Sequence, residues 1–322
     1  MTGRRELSAC AVLAWMALAA PAAAADGLPV GNVDAGPTGV TTPGEEARYV
    51  TLGAPGGTMV AKVRRDEGQV LRSRFFGGSF TVPGVALDGS AGGLSADGRT
   101  LALIRPRARF PQGRTHLLVL DAGRLQVVRR VTLRGDFSFD AISPDGSSLY
   151  LIQYLSRRNP TRYAVRAYDV RSGELARDPI VDPREPDERM GGYPVTRAYS
   201  ADGRWAYTLY DGAGKHPFVH ALDTTGRTAA CIDLDALSPR RDVYALRLAV
   251  EHAGRSLSIV DHGTPVAEID TRTFRVAAPA AAGTADGGIS HPWPWAAAVV
   301  AALGLATAIS HSLRRRRRLA GT

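Results

Sequence analysis

The sequence predicts an all-β fold built from four-stranded antiparallel units, and three observations lead to this prediction. A turn motif with Asp-Gly, or a degenerate copy of it, recurs with its glycine at positions 98, 146, 203 and 254. A second turn motif follows each copy at a similar distance. Beyond the first 25 residues the chain has one cysteine, Cys231, so its hydrophobic core and not an intramolecular disulfide must hold the units together.

The first motif has the pattern of a β-hairpin. An apolar segment leads into the tight turn, and an alternating apolar strand leaves it. The four copies, of which the last is degenerate, are Leu94–Leu103, Ile142–Leu151, Tyr199–Tyr207 and Val250–Ile259. Their spacing predicts one structural unit about every 50 residues.

The second motif closes a further hairpin in each unit. An apolar strand ends on an aspartate that is followed shortly by glycine or threonine, at Asp121, Asp169, Asp223 and Asp270. One unit therefore holds four antiparallel strands. An earlier unit, within Tyr49–Leu71, has the later strands, and we expect a strand from residues 28–33 to complete it.

Four-stranded units at this spacing resemble the blades of a β-propeller. The segment Ser143–Tyr150, followed by Val165–Gly173, is similar to the YVTN and WD-repeat-like repeats of bacterial propellers. The resemblance covers residues 45–277 and implies five blades, with six as the alternative. It implies a fold rather than an activity, because such propellers act as binding platforms, envelope assembly factors or, less often, enzymes.

The first 25 residues have the pattern of a secretory signal peptide. Arg4 and Arg5 precede the apolar stretch Cys10–Ala20, and Ala23–Ala25 forms a small-residue cleavage site. A lipoprotein signal at Cys10 fits less well, because the apolar stretch follows the cysteine instead of preceding it. A twin-arginine signal also fits less well than an ordinary secretory signal. Residues 26–44 are predicted to form an extended segment.

The C-terminal region predicts a membrane anchor. Residues 278–292 are rich in alanine and glycine, which predicts a flexible stalk. Residues 293–313 form an apolar run, with two tryptophans near its start, that is long enough for a transmembrane helix. The tail 314–322 begins with Arg314, Arg315, Arg316, Arg317 and Arg318. The positive-inside rule places this tail in the cytoplasm, so we expect a single-pass cell-membrane protein whose N-terminal bulk is extracytoplasmic.

The net charge of +9 is concentrated at the two ends of the chain. The predicted signal peptide carries +1 and the C-terminal arginine run carries +5, so the rest of the chain carries only +3. A nearly neutral body does not favour a nucleic-acid-binding protein. The charge therefore indicates membrane topology more than a partner.

Long loops at one end of the predicted units carry clusters of basic residues. Each such loop joins the second and third strands of a unit, at the end opposite to the aspartate turns. The members of this predicted basic rim are Arg105, Arg107, Arg109, Arg114, Arg157, Arg158, Arg162, Lys215 and His216. Converging basic loops predict a site for an anionic polymer or an acidic envelope protein. A solvated arginine-rich surface without a ligand is the alternative.

Two residues of opposite charge occupy the same position in neighbouring units. Asp140 and Arg197 each lie three residues before the serine of the first turn motif. We expect them to meet at the mouth of the central channel, as a structural ion pair or, alternatively, as a ligand contact.

The sequence predicts no catalytic residue, no cofactor and no metal site. Gly93–Asp97 resembles a nucleophile motif only because the repeat contains it, and His216 and His220 are too far apart on one strand to share a metal. The predicted function is a membrane-tethered binding platform of the cell envelope whose ligand is unknown. The alternatives are a hydrolase or lyase at the channel mouth and a module that binds the membrane surface.

Overall fold

The computed structural model describes residues 33–34, 39–187, 190–214, 216–235, 237 and 241–279. The predicted signal peptide (1–25), the transmembrane helix (293–313) and the arginine tail (314–322) lie outside the described residues, as does all but the start of the predicted stalk. Within the described ranges, no helix combines the length and the hydropathy needed to span a bilayer.

In the described residues, five antiparallel sheets of three or four strands follow one another in chain order, and each takes its strands from one sequence repeat; a sixth, two-stranded sheet lies outside the repeats. Sheet 1 contains β2 (Val40–Thr41), β3 (Ala47–Ala54), β4 (Gly57–Arg64) and β5 (Val70–Gly77). Sheet 2 contains β7 (Thr100–Ile104), β8 (Arg114–Asp121) and β9 (Gln126–Arg134). Sheet 3 contains β10 (Phe137–Ile142), β11 (Ser148–Tyr154) and β12 (Tyr163–Asp169).

Sheets 4 and 5 each have four strands. Sheet 4 contains β13 (Pro194–Tyr199), β14 (Trp205–Tyr210), β15 (Phe218–Asp223) and β16 (Thr228–Asp233). Sheet 5 contains β17 (Leu246–Glu251), β18 (Ser256–Asp261), β19 (Thr264–Asp270) and β20 (Val276–Ala277). A short ladder joins β1 (Val33–Asp34) to β6 (Pro83–Gly84). Three single-turn 3₁₀ helices cover Gly212–Gly214, Val243–Ala245 and His252–Gly254.

Isolated bridges extend sheets 2 and 3 at one edge. Leu94 pairs with Leu101 at the inner edge of sheet 2. Leu175 pairs with Tyr168, and Ile180 with Val165, at the outer edge of sheet 3. The prediction of four antiparallel strands is therefore confirmed for sheets 1, 4 and 5, whereas sheets 2 and 3 have three strands that isolated bridges extend.

The serine and aspartate of the first motif build its turn. In sheet 3, the Ser143 hydroxyl donates to Asp145 Oδ1 (2.7 Å), and the Ser147 amide donates to the same oxygen (3.0 Å). Burial opposes the shift, but these hydrogen bonds lower the pKa of Asp145. Gly146 has φ of 72°, the left-handed region in which glycine carries no steric penalty. The turn aspartate is thus structural.

Consecutive sheets pack face to face through shared hydrophobic clusters. The clusters contain Val60 and Leu118 of sheets 1 and 2, Val119 and Leu149 of sheets 2 and 3, Val165 and Leu222 of sheets 3 and 4, and Leu209 and Ile259 of sheets 4 and 5. Four-stranded sheets that follow in sequence and pack in this way have the arrangement of β-propeller blades. The protein is therefore all-β, with five blade-like sheets in its described part.

Two features of the chain before sheet 2 were not predicted: the strand that pairs with β3 and a long-range contact with sheet 4. Among the described residues, the strand that pairs with β3 at its free edge is Val40–Thr41, opposite Tyr49 and Arg48. Residues 28–32 of the predicted strand lie outside the described residues, and Val33 pairs with Gly84 instead. The connection from sheet 1 to sheet 2 crosses to sheet 4, where the amide of Leu87 donates to the carbonyl of Pro194 (2.9 Å). A two-residue strand has too little pattern to be recognised, and a contact across more than 100 residues leaves no local signal.

Candidate functional site

The long loops lie together at one end of the sheets. Successive hairpins of an antiparallel sheet turn at opposite ends, so the connections 105–113, 155–162 and 211–217 lie away from the aspartate turns. We call this end of sheets 2, 3 and 4 the long-loop end. It carries the predicted basic rim, of which Lys215 lies outside the described residues.

Most of the predicted rim is exposed. The exposed arginines whose side chains make no hydrogen bond or ion pair with the described residues are Arg109, Arg114, Arg157, Arg158 and Arg162. Arg105 lies over the ring of Phe80, with 5.9 Å from its guanidinium carbon to the ring centroid. His216 Nδ1 lies 3.3 Å from Asp235 Oδ1, with both side chains exposed.

Arg107 does not contribute to an exposed basic surface. Its Nε and Nη2 donate to Asp136 Oδ1 at 2.9 and 2.5 Å, and both side chains are at most 5% exposed. The guanidinium also covers the ring of Tyr154, at 4.9 Å from its centroid. Arg107 therefore holds the loop of sheet 2 against the start of sheet 3.

Asp140 and Arg197 meet, but they are buried and not exposed at a channel mouth. The Nη2 of Arg197 donates to Asp140 Oδ1, and its Nη1 donates to the carbonyl of Asp140 (2.8 Å). The two side chains are 2% and 1% exposed. Burial disfavours the charged guanidinium, but the electrostatic interactions with Tyr199 and with the carboxylate of Asp140 outweigh it and raise the pKa of Arg197. This geometry is that of an ion pair that joins the inner strands of sheets 3 and 4.

Acidic residues follow the basic loops around the same end. The connections that enter and leave sheet 4 carry Glu185, Asp187, Asp235 and Asp242, and the loop between β14 and β15 carries Asp211. In contrast, the loops 105–113 and 155–162 have no acidic residue. The long-loop end thus has a basic sector, on sheets 2 and 3, and an acidic sector around sheet 4.

The long-loop end also contains a cavity, between sheets 3 and 4, that the sequence did not predict. Its volume is about 390 Å³. Its lining includes Tyr163, Val165, Ile180, Met190, His220 and Cys231. His220 and Cys231 are direct neighbours across the β15–β16 ladder. Strand alternation could have placed His220 among buried residues, but no sequence signal shows that an adjacent loop leaves space beside it.

Comparisons with known proteins give similarities of fold at low identity. The hydrazine synthase of Kuenenia stuttgartiensis is 18% identical, over 72% of this chain and 63% of that one, with a TM-score of 0.43. TolB of Acinetobacter baumannii is 17% identical, over 61% and 42%, with a TM-score of 0.37. The Swd1 β-propeller domain of Myceliophteria thermophila is 13% identical, over 78% and 67%, with a TM-score of 0.39.

This chain spans less than two thirds of the length of the first two of these proteins. No protein-family model and no curated protein matches it. The strand pairings and the shared core clusters, and not these similarities, define the fold.

Proposed function

We propose that this protein is a membrane-tethered binding module of the cell envelope and that its basic sector binds an anionic partner. In this proposal, residues 1–25 direct export and residues 293–313 anchor the chain, with the propeller outside the cytoplasm. The partner is an acidic envelope protein or an anionic polymer. One observation carries the proposal: Arg109 and Arg157 lie exposed in adjacent acid-free loops, with Arg114 at the first position of β8, and none of them has a partner among the described residues.

Unpaired guanidinium groups on a fixed scaffold favour anionic ligands for a physical reason. Arginine donates in a planar fork that matches a carboxylate or a phosphate, and its charge does not titrate below about pH 12. A nearby acidic side chain would compete for these donors. At the opposite end such competition exists, because Arg204 pairs with Asp223 and Arg227 lies 3.6 Å from Asp169. In the basic sector one such pair exists, that of the buried Arg107 with Asp136, whereas the exposed Arg109, Arg114 and Arg157 have no acidic partner among the described residues.

Poly-L-glutamate tests the proposal on the full-length chain. The rim variant replaces Arg109, Arg114, Arg157 and Arg158 by serine. The control variant replaces four exposed arginines at the aspartate-turn end by serine, namely Arg99, Arg255, Arg272 and Arg275. We expect the rim variant to bind poly-L-glutamate at least tenfold more weakly than wild type, and the control to stay within threefold. Added salt should weaken the wild-type interaction.

Equal loss in the two variants would show that net charge and not the basic sector binds, which contradicts the proposal. A parallel measurement uses vesicles that contain phosphatidylglycerol. Binding to the vesicles alone, lost in the rim variant, would instead favour a module that binds the membrane surface. The hydrolase or lyase alternative gains no support, since the pair Asp140 and Arg197 is buried.

A further inference from the structure

The cavity between sheets 3 and 4 has the size and lining of a small-molecule site. Its volume of about 390 Å³ falls in the range of about 300–1,000 Å³ that such sites occupy. Val165, Ile180 and Met190 supply apolar surface, and Tyr163 supplies an aromatic ring. Of the five unpaired arginines of the long-loop end, Arg162 lies at the rim of this cavity and the other four do not line it.

The wall of the cavity is held in place by Asp182. Its carboxylate accepts hydrogen bonds from the amide and the guanidinium of Arg184, and from the amide of Cys231 (2.9 Å). Burial opposes the shift, but the hydrogen bonds from Arg184 and Cys231 outweigh it and lower the pKa of Asp182 to about 2. This carboxylate is therefore committed to fixing the loop against β16 and is not available to a ligand.

His220 is the exception among the buried polar groups of the lining. It is 1% exposed, and its Nε2 has no hydrogen-bond partner among the described residues. A buried polar atom without a partner destabilises a fold by about 1–3 kcal/mol. Because His220 lines the cavity, an occupant that bonds to Nε2 is one way to satisfy this atom.

The charges around the cavity indicate that the buried part of a ligand is neutral. Burial lowers the pKa of His220 to about 4, so its imidazole is uncharged near neutral pH. The ionised side chains Arg162, Glu185 and Asp187 are exposed at the rim. Inside, Asp182 is already paired, so a charged group placed there would lose its hydration without gaining a partner.

We propose that this cavity binds an uncharged, mainly apolar small molecule that carries one polar group, and that this group forms a hydrogen bond with His220. The site goes beyond the anion-binding function proposed above and does not depend on it. Water as the sole occupant is an outcome of the test below.

The test uses two probes of equal shape, 2-naphthol and 2-methylnaphthalene, with the full-length chain. The hydroxyl of 2-naphthol can bond to His220, and the methyl group of the other probe cannot. The readout is the rate at which N-ethylmaleimide modifies Cys231, followed by mass spectrometry of its peptide. We expect 2-naphthol to slow this reaction at a concentration at least tenfold lower than 2-methylnaphthalene does.

Three variants locate the effect. His220→Leu should abolish the preference for 2-naphthol, and Ile180→Phe should reduce the volume of the cavity and weaken both probes. The control His116→Leu removes a histidine of sheet 2 and should behave as wild type. If neither probe protects Cys231 in wild type, the cavity holds water alone and the proposal is wrong. Equal potency of the probes in wild type would also overturn it, even if His220→Leu failed to fold.

Discussion

The contact between sheets 3 and 4 contains two buried polar regions that are arranged in opposite ways. Between the inner strands, Asp140 and Arg197 bond to each other. Between the outer strands, His220 faces a cavity with its Nε2 unpaired. The same two sheets therefore enclose an ion pair in one place and an open hydrogen-bonding position in the other.

The difference shows that a buried polar side chain can either join two strands or remain available to a ligand. Opposite charges that neutralise each other hold two strands in register, even though Asp140 Oδ2 and Arg197 Nε have no hydrogen-bond partner among the described residues. A neutral imidazole can be buried without a counter-charge, because burial shifts its pKa instead. The first arrangement explains a fixed joint, and the second leaves a recognition group ready for a partner.

Breaking the ion pair should have the largest effect. Arg197→Met leaves the carboxylate of Asp140 buried without its counter-charge, so we expect the free energy of unfolding to fall by about 3–5 kcal/mol. Urea denaturation measures this change. The matched control is Arg65→Met, which removes the arginine of an ion pair whose two side chains are both exposed and should change stability by at most about 1 kcal/mol.

The double variant Asp140→Leu, Arg197→Met distinguishes the loss of one charge from the loss of both. It removes both charges, so its stability should lie closer to wild type than that of Arg197→Met. If Arg197→Met were as stable as the control variant, the pair would not be the joint that its burial indicates.

Lowering the pH should destabilise the fold through His220, which lies in the second of the two regions. Because the pKa of His220 is lowered to about 4 in the folded state, the unfolded chain binds a proton at higher pH than the folded chain does. The contribution of neutral His220 to the free energy of unfolding is therefore fully present above about pH 6.5. It is lost as the pH falls from about 6.5 to 4, by about 3 kcal/mol in total.

Denaturation of wild type and His220→Leu at pH 7, 5.5 and 4 measures this effect. The pKa of His116 is also lowered by burial, so the difference between the two proteins, and not the wild-type curve alone, reports His220. Asp182 does not interfere, because its contribution is lost only as the pH falls below about 4. Parallel pH curves for the two proteins would show that His220 titrates normally.

The repeat structure could be predicted because its determinants are local. Each Asp-Gly turn is built by a serine and an aspartate within a few residues, as with Ser143 and Asp145, and the alternation beside it defines the strands. The repeat register also indicated that Asp140 and Arg197 would be neighbours. Their burial could not be predicted, because it depends on which distant segments pack against these strands, and a contact such as that of the Leu87 amide with Pro194 leaves no local signal.

The loops were harder to predict for the same reason. Arg107 and Arg109 lie in the same loop, and no pattern in the sequence distinguishes one from the other. Only the fold brings Asp136, 29 residues along the chain, beneath Arg107 and leaves Arg109 exposed. The cavity beside His220 likewise depends on how the loop after sheet 3 is fixed by Asp182, which no pattern in the sequence shows.

The smallest expected effect concerns a third polar contact between sheets 3 and 4. The Tyr150 hydroxyl donates to the carbonyl of Thr224 (2.5 Å), and the Tyr49 hydroxyl makes the equivalent bond to Ala122 between sheets 1 and 2 (3.0 Å). Tyr150→Phe and Tyr49→Phe should each lower the free energy of unfolding by about 1 kcal/mol, the ordinary net value of one hydrogen bond.

Equal losses would mean that sheets 3 and 4 join like any other pair away from the ion pair and the cavity. A loss several times larger for Tyr150→Phe would show that this contact is coupled to the ion pair. Combining Tyr150→Phe with Arg197→Met decides between these cases, because independent contacts give additive losses and coupled ones do not. Since Tyr150 and Arg197 lie in different strands and share no described hydrogen bond, we expect additivity within about 0.5 kcal/mol.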